Sequence, residues 1–339
     1  MVAPFIGSEA LAPGELTPYA LRSKFSAVYP DVYLAREFEM TAAVRARAAW
    51  LWSRRRGIVA GRSAAALHGA KWVDAHLPAE VLWNNRRPPA GIRVWSDTVE
   101  DDECELIGGI SVTTPARTAL DIASRHPANR AVAAIDALAR AAHLKMADVE
   151  ALADRHRGRR GIRMARRAIQ LVDPGAESPR ETWLRLLLVR GGFPPPTTQI
   201  PVHNEFGVLV AVLDMGWEHI KVAAEYDGDH HRTDRRRFNN DIRRAETVGE
   251  LGWIHIRVTA EDAEGDVLRR VRAAFARRRG AGGGYTSAGA DGVNTTGICS
   301  SPLTKFAGRR GRAESSASRR SGSRRRIVRS IVVSSRRAS

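Results

Sequence analysis

Residues 208–231, VLVAVLDMGWEHIKVAAEYDGDHH, decide how the second half of this chain folds. Val208 to Leu213 and Ile220 to Tyr226 are rich in β-branched and small apolar residues and read as strands. If His219 and Ile220 form the turn between them, the antiparallel register sets Asp214 opposite Glu225. Directly opposed Cβ atoms lie about 4.5 to 5.5 Å apart. Two carboxylates at that separation repel, and one pKa rises unless a cation stands between them. A divalent ion with oxygen ligands, Mg²⁺ or Mn²⁺ rather than zinc, meets that need. Just beyond, Asp227-Gly228-Asp229-His230-His231 turns the chain through glycine with two more acids and two imidazoles, and His231 is placed to act as a general base.

Outward from this stretch the pattern continues in both directions. Glu177-Ser178-Pro179-Arg180-Glu181 forms a capping box, with Ser178 as N-cap, Pro179 in the first turn and Glu181 three residues after the cap. Trp183, Leu184, Leu187 and Leu188 recur at helical spacing until Gly191-Gly192, and Pro194-Pro195-Pro196 forces an extended exit towards a strand at Gln199 to Val202. After the acidic turn come Arg232, Arg235, Arg236, Arg237, Arg243 and Arg244, a cationic segment suited to a polyanion, with Arg235, Arg236, Arg243 and Arg244 as candidate phosphate contacts. Leu251 to Val258 gives a last strand and Asp266 to Arg278 a closing helix. The order is helix, three strands, helix, strand, helix.

Residues 177–279 resemble the DUF559 endonuclease-like family, related to very-short-patch repair endonucleases within the PD-(D/E)XK restriction-endonuclease fold. The resemblance is carried by Glu181 with Leu184, Arg185, Leu188 and Phe193, by Asp214, by Glu225-Tyr226-Asp227-Gly228 with His231, by Asp241 with Arg244, and by Gly252-Trp253. It implies an α/β (α+β) restriction-endonuclease-like domain in which Asp214 and Glu225 ligate Mg²⁺ or Mn²⁺, Glu181 assists, and a phosphodiester is hydrolysed. One departure is plain. The superfamily places lysine two residues after the glutamate, and Asp227 stands there. Lys221, four residues before Glu225 and so on the same face of a strand, and His231 are the candidate replacements.

The first half carries helix starts at Thr17-Pro18, a breaker-free stretch from Thr41 to Arg56, and Arg62 to Gly69 with Ser63 as cap. Apolar runs at Glu80 to Trp83, Ile92 to Trp95 and Ile110 to Thr113 read as strands, and helices follow from Thr114-Pro115, at 128–142, 146–155 and 161–172. Ser63-Ala64-Ala65-Ala66-Leu67-His68-Gly69 and Thr113-Thr114-Pro115-Ala116-Arg117-Thr118-Ala119-Leu120-Asp121 resemble the AbiEi-type antitoxin-like region, a mainly helical winged-helix-like segment followed by an α+β segment. Arg54, Arg55 and Arg56 read either as a solvated basic face or as phosphate contacts. The implied divisions are 1–60, 61–172, 177–279 and 280–339.

The chain has 339 residues and a net charge of +17, of which residues 281–339 supply +10. That segment is rich in Gly, Ser and Arg and reads as a disordered basic tail. No run approaches the about 20 apolar residues of a membrane span. No signal peptide is evident at the start, which makes the cytoplasm the expected compartment. Two cysteines are too few for a disulfide framework or a four-cysteine zinc site. The charge favours a nucleic-acid partner, DNA with RNA not excluded, and leaves any protein partner unnamed. Two functions stay open. One is a metal-dependent nuclease with a DNA-binding or regulatory first half. The other is a DNA-binding regulator or antitoxin-like protein without catalysis.

Overall fold

The computed structural model describes residues 3–14, 16–85, 87–228 and 235–281, with the backbone alone at 235–242 and at 281. The expected tail at 280–339, apart from its first two residues, lies outside the described residues. Among those described, no helix is long and apolar enough to cross a membrane.

Strand β1 (Phe5–Ile6), helices α1 (Gly7–Leu11) and α2 (Pro18–Lys24), and the hairpin β2 (Phe25–Tyr29) and β3 (Val32–Ala35) come first, with an antiparallel sheet in the order β1-β3-β2. Thr17 caps α2 as its sequence predicts, its hydroxyl accepting from Ala20 N–H at 3.1 Å. The three strands are new relative to the helices expected over 1–60. Their apolar runs are too short for a two-residue period to stand out. Helix α3 (Ala42–Trp52) starts at Thr41 and stops at Ser53, four residues before Gly57, because Arg54 and Arg55 take positive φ.

A second sheet follows, built from β4 (Ile58–Val59), β5 (Ala79–Leu82), β6 (Ile92–Trp95), β7 (Cys104–Ile107) and β8 (Ile110–Thr113), in the order β6-β5-β4-β8-β7. Helix α4 (Gly61–Leu67) leaves β4 at once. Its cap is not Ser63. Buried Glu80 on β5 accepts from Arg62 N–H at 2.7 Å, and the Ser63 hydroxyl accepts from Glu80 N–H at 2.9 Å. Gly61 is required at this join: its φ is +54°, and a Cβ there would stand 2.3 Å from a Glu80 carboxylate oxygen.

Helices α5 (Pro115–Arg125), α6 (Ala128–Ala142), α7 (Met146–Arg155) and α8 (Ile162–Ile169) pack around Leu120, Ile122, Ile135, Leu138, Val149 and Ile169. Thr114 caps α5 with Pro115 in its first turn, as the sequence predicts. One turn on, Arg117 is 1% exposed and donates to Asp121 at 3.1 Å, to Glu103 and to the Thr98 carbonyl at 3.2 Å. Burial pushes the Asp121 carboxyl up, but Arg117, Arg159 and Arg125 outweigh it and hold it below its ordinary value.

The last part is α9 (Pro179–Arg190), β9 (Thr197–His203), β10 (Leu209–Trp217), β11 (Val222–Tyr226), α10 (Arg235–Glu250), β12 (Ile254–Val258) and α11 (Glu264–Ala281), in the expected order. The sheet runs β12-β11-β10-β9, antiparallel except for β11 with β12, which α10 connects. Helix α9 is covered on two sides: Leu184, Leu187 and Leu188 face this sheet's core, and Leu186 enters the core of α5–α8. Asp136 on α6 fixes it there, accepting from Arg185 and from the Thr182 hydroxyl, each at 2.8 Å.

Replacing Arg117 by methionine leaves Glu103 and Asp121 buried without their cation. Unfolding in urea should show a loss of about 3 to 5 kcal/mol, whereas Arg163→Met, at an exposed position of α8, should fall within about 0.5 kcal/mol of the parent. Equal effects would refute the buried network's role.

Candidate functional site

The pairing of β10 with β11 sets Met215 against Ala224, Gly216 against Ala223 and Trp217 against Val222. Continued by one step, this register places Asp214 opposite Glu225, as the sequence predicts. Gly216 permits the approach, since a Cβ there would lie 2.4 Å from the Val222 carbonyl oxygen. Asp214 is fixed by the backbone beside it, its Oδ2 accepting from Tyr226 N–H at 2.9 Å.

The connection differs from a two-residue turn. It is a 3₁₀ turn at Glu218–Ile220 followed by Lys221 in the left-handed region with φ of 46°. This corrects the role expected of Lys221. The residue ends the turn instead of lying in β11, and its Nζ donates to the Leu251 carbonyl at 3.0 Å, so it serves the opposite end of the strand from Glu225.

Three carboxylates converge. Glu181 closes the cap of α9, its backbone N–H donating to the Ser178 hydroxyl at 3.1 Å and its Oε2 accepting from Glu177 N–H at 2.8 Å, one residue earlier than the reciprocal cap bond expected. Burial raises its pKa. Asp214 is pushed up to about 7, first by burial and then by the charges of Glu181 and Glu225. Glu225, 8% exposed, behaves in the opposite way: burial would raise it, but His255 and Arg244 outweigh that and hold it below its ordinary value.

Arg244 on α10 donates to Glu225 Oε1 at 2.7 Å and to the Val212 carbonyl at 2.5 Å. His255 Nε2 on β12 lies 2.5 Å from the other carboxylate oxygen. Arg244 was expected to contact phosphate. Its guanidinium is engaged within the protein instead. His255 escaped the sequence reading, although the alternation in Ile254-His255-Ile256-Arg257 put it on the same face as Arg257 and the register aligns Arg257 with Glu225. Asp227 points elsewhere, to Arg257 at 2.6 Å, and its N–H donates to the Val258 carbonyl at 2.7 Å. Arg243 is exposed. His231 and the side chains of Arg235 and Arg236 lie outside the described residues.

Asp214 and Glu225 suit a hard cation in kind. As arranged, however, both oxygens of Glu225 are engaged by Arg244 and His255. Among the described residues, no group of three or more His, Cys, Asp or Glu side chains is placed to hold a metal ion. Among the described residues, the set around Glu225 does not fit Mg²⁺ or Mn²⁺ as arranged, since two of the protein's own side chains occupy the carboxylate.

The first half offers a different kind of surface. Arg54 pairs with Asp31 at 2.7 Å and Arg55 with Glu9 at 2.6 Å, while Arg56 lies over the Trp83 ring, so this trio ties α3 to its neighbours. His68 is held by the Thr113 carbonyl at 2.8 Å. On α8 the pattern reverses. Arg163 and Arg167 stand one turn apart, with Arg160 just before the helix. All three are exposed, and among the described residues none has a carboxylate within 4.0 Å, whereas neighbouring Arg155 and Arg166 each sit on one at 2.7 Å. The sequence placed a helix here without marking this stripe, because Arg155 to Arg167 looks uniformly basic until the paired arginines are known.

Residues 57–174 match the family model described as the AbiEi antitoxin C-terminal domain. Two uncharacterized proteins of Mycobacterium tuberculosis, from strains CDC 1551 / Oshkosh and H37Rv, are each 33% identical to this chain over 141 residues. That alignment covers 42% of this chain and 51% of each relative, so the chain spans about half the length of the curated relatives it matches. No solved structure matches. The antitoxin-like resemblance of the first half thus has a family match behind it, and the endonuclease resemblance of 177–279 has none.

The raised Asp214 pKa has a sign that stability measurements can read. The folded state holds this proton more tightly than the unfolded chain, so ionising Asp214 destabilises the fold as pH rises from about 4 to about 7. In metal-free buffer Asp214→Asn should raise the unfolding midpoint at pH 8 and leave it little changed at pH 4. A lower midpoint at pH 8 would contradict the burial argument.

Proposed function

We infer that this chain is a DNA-binding regulator of the antitoxin kind whose second sheet carries an acidic centre neutralised from within. The observation that carries this reading is the exposed stripe of Arg160, Arg163 and Arg167, cations without carboxylate partners among the described residues, inside the segment that matches an antitoxin domain model. Unpaired surface arginines at roughly one-turn spacing suit successive phosphates, and their release of counterions drives association. The internal pairing of Glu225 with Arg244 and His255 supports this reading, because that carboxylate needs no ion to balance its charge. The winged-helix-like unit expected over 1–60 is carried in this reading as a proposal, resting on α1, α2 and the β2–β3 hairpin that follow one another there.

A second reading is metal-dependent phosphodiester hydrolysis on a restriction-endonuclease-like domain. It is favoured by Asp214, whose pKa of about 7 marks a site short of positive charge, and by the order helix, three strands, helix, strand, helix. Asp214 and Glu225 would hold Mg²⁺ or Mn²⁺, with Glu181 assisting. The ion would supply activation of water and relief of phosphate charge. Arg244 and His255 would first have to release Glu225.

The two readings separate experimentally. In EDTA, fluorescence anisotropy with DNA from the protein's own upstream region should show salt-sensitive binding. The variant R160A/R163A/R167A should flatten the plot of log affinity against log salt by about 0.9 for each phosphate that the protein ceases to neutralise. Asp214→Ala should leave that binding unchanged. With Mg²⁺ or Mn²⁺ added, DNA and RNA should both survive intact. Cutting that Asp214→Ala abolishes would overturn the first reading in favour of the second, and absence of any binding would overturn the first outright.

A further inference from the structure

A cavity of about 290 Å³ lies away from the acidic centre, where the end of α4 meets α6 and the segment leading into α9. Ala137, Ala141 and Ala176 contribute to its lining, with Lys71, Trp72, Arg140 and Glu177 around it. Trp72 is the unusual member. It is 63% exposed, and its backbone has φ of 65°, the left-handed region, which a bulky side chain seldom takes and which is held only where the surroundings enforce it. The surroundings here are Gly69, with φ of +87° just past α4, and the bond from the indole N–H to the Glu177 carbonyl at 3.1 Å. The strain presents a large aromatic face to solvent, where burial gives it no return.

The charged groups around that face are complementary to one ligand class. Lys71 is exposed and has no bonded partner among the described residues. Arg140 is half-exposed, tied to the Glu177 carboxylate and to the Pro174 and Gly175 carbonyls at 3.4 and 3.3 Å. A simple anion would gain from Lys71 but not from the indole, and Glu177 would repel it. A purely apolar ring would gain from the indole but leave Lys71 unused. A nucleotide uses both. Its base stacks on the indole, its phosphate meets Lys71, and an exocyclic amine donates to Glu177, which Arg140 holds in place.

We propose that this cavity is a nucleotide-binding site, with Trp72 as stacking platform and Lys71 as phosphate contact. Nothing in the DNA-binding reading requires it, and the arginine stripe of α8 plays no part in it. The nucleotide could arrive free or as one unit of a single strand, and both sources share this chemistry.

Calorimetric titration of the full chain with dAMP, with deoxyadenosine and with a short single-stranded oligodeoxyadenylate tests it. Binding of dAMP identifies a free nucleotide, and binding of the oligonucleotide alone identifies a unit of a strand; either supports the site. Trp72→Gly should weaken binding roughly tenfold or more while leaving the unfolding midpoint unchanged or higher, since glycine takes positive φ without strain. Trp72→Asn, which tolerates the same backbone, should behave alike. Lys71→Ala should weaken dAMP more than deoxyadenosine. The proposal falls if neither dAMP nor the oligonucleotide binds, if Trp72→Gly binds as the parent does, or if deoxyadenosine binds as tightly as dAMP. R160A/R163A/R167A should leave dAMP binding intact, which keeps the outcome separate from that of the DNA-binding reading.

Discussion

The carboxylate of Asp136 is the point on which the second half of this protein is set. It sits fully buried on α6 and takes three donors: Arg185 and Thr182 from α9, and the backbone N–H of Asp173 at 2.8 Å. Burial outweighs even this set, and its pKa is pushed up to about 6. Such a group contributes little net stability compared with an apolar replacement, but it admits only one placement of its partners. Helix α9 is thereby fixed in rotation and height against the α5–α8 layer, and Glu181 at its start inherits that position. The acidic centre is therefore positioned from a core to which it does not belong.

The buried carboxylates of this protein follow a rule that makes the exceptions informative. Glu80 has Arg62 at 3.1 Å and His126 at 3.4 Å, Glu103 and Asp121 have Arg117, Asp136 has Arg185, and Glu225 has Arg244 and His255. Each buried charge has a cation in contact, as low polarisability demands. Glu181 and Asp214 have no such partner among the described residues, and burial raises the pKa of both, as it does that of Asp136 even with Arg185 in contact. The position that the resemblance to nucleases reserves for lysine holds Asp227, which Arg257 has taken. The centre thus has one satisfied acid and two that carry their charge reluctantly.

Local chemistry made much of this legible beforehand. Thr17, Thr114 and Ser178 cap the helices they precede, because a hydroxyl beside proline offers the backbone few other choices. The register that opposes Asp214 to Glu225 followed from placing one turn, and the pairs of β10 with β11 keep it. What escaped is what depends on distant partners. Ser63 looked like a cap until Glu80 arrived from another strand to do that work. Lys221 shared a face with Glu225 only if the strand began early, and its positive φ ended that alignment. His255 and Arg244 became part of the centre through a parallel crossover, a contact between residues that no short-range period connects. Two-residue strands such as β1 and β4 carry no period at all.

These charge assignments also bear on the nucleic-acid partner proposed above. Three ionised carboxylates at one end of a sheet would repel a phosphate backbone across a distance comparable to the Debye length, about 8 Å at physiological salt. Glu225 is neutralised by contact with Arg244 and His255, and Asp214, with a pKa of about 7, carries only part of its charge near neutrality. The repulsion left at the centre is then small beside the attraction of Arg160, Arg163 and Arg167, whose charges no carboxylate among the described residues cancels. Around the centre the arginines are divided: Arg244 and Arg257 are spent on Glu225 and Asp227, while Arg180, over the Tyr226 ring, and Arg243 are exposed and have no carboxylate partner among the described residues. A phosphate approaching Asp214 would therefore meet cations at the rim before the carboxylates within, and the exposed arginines of α8 offer it a second place to settle.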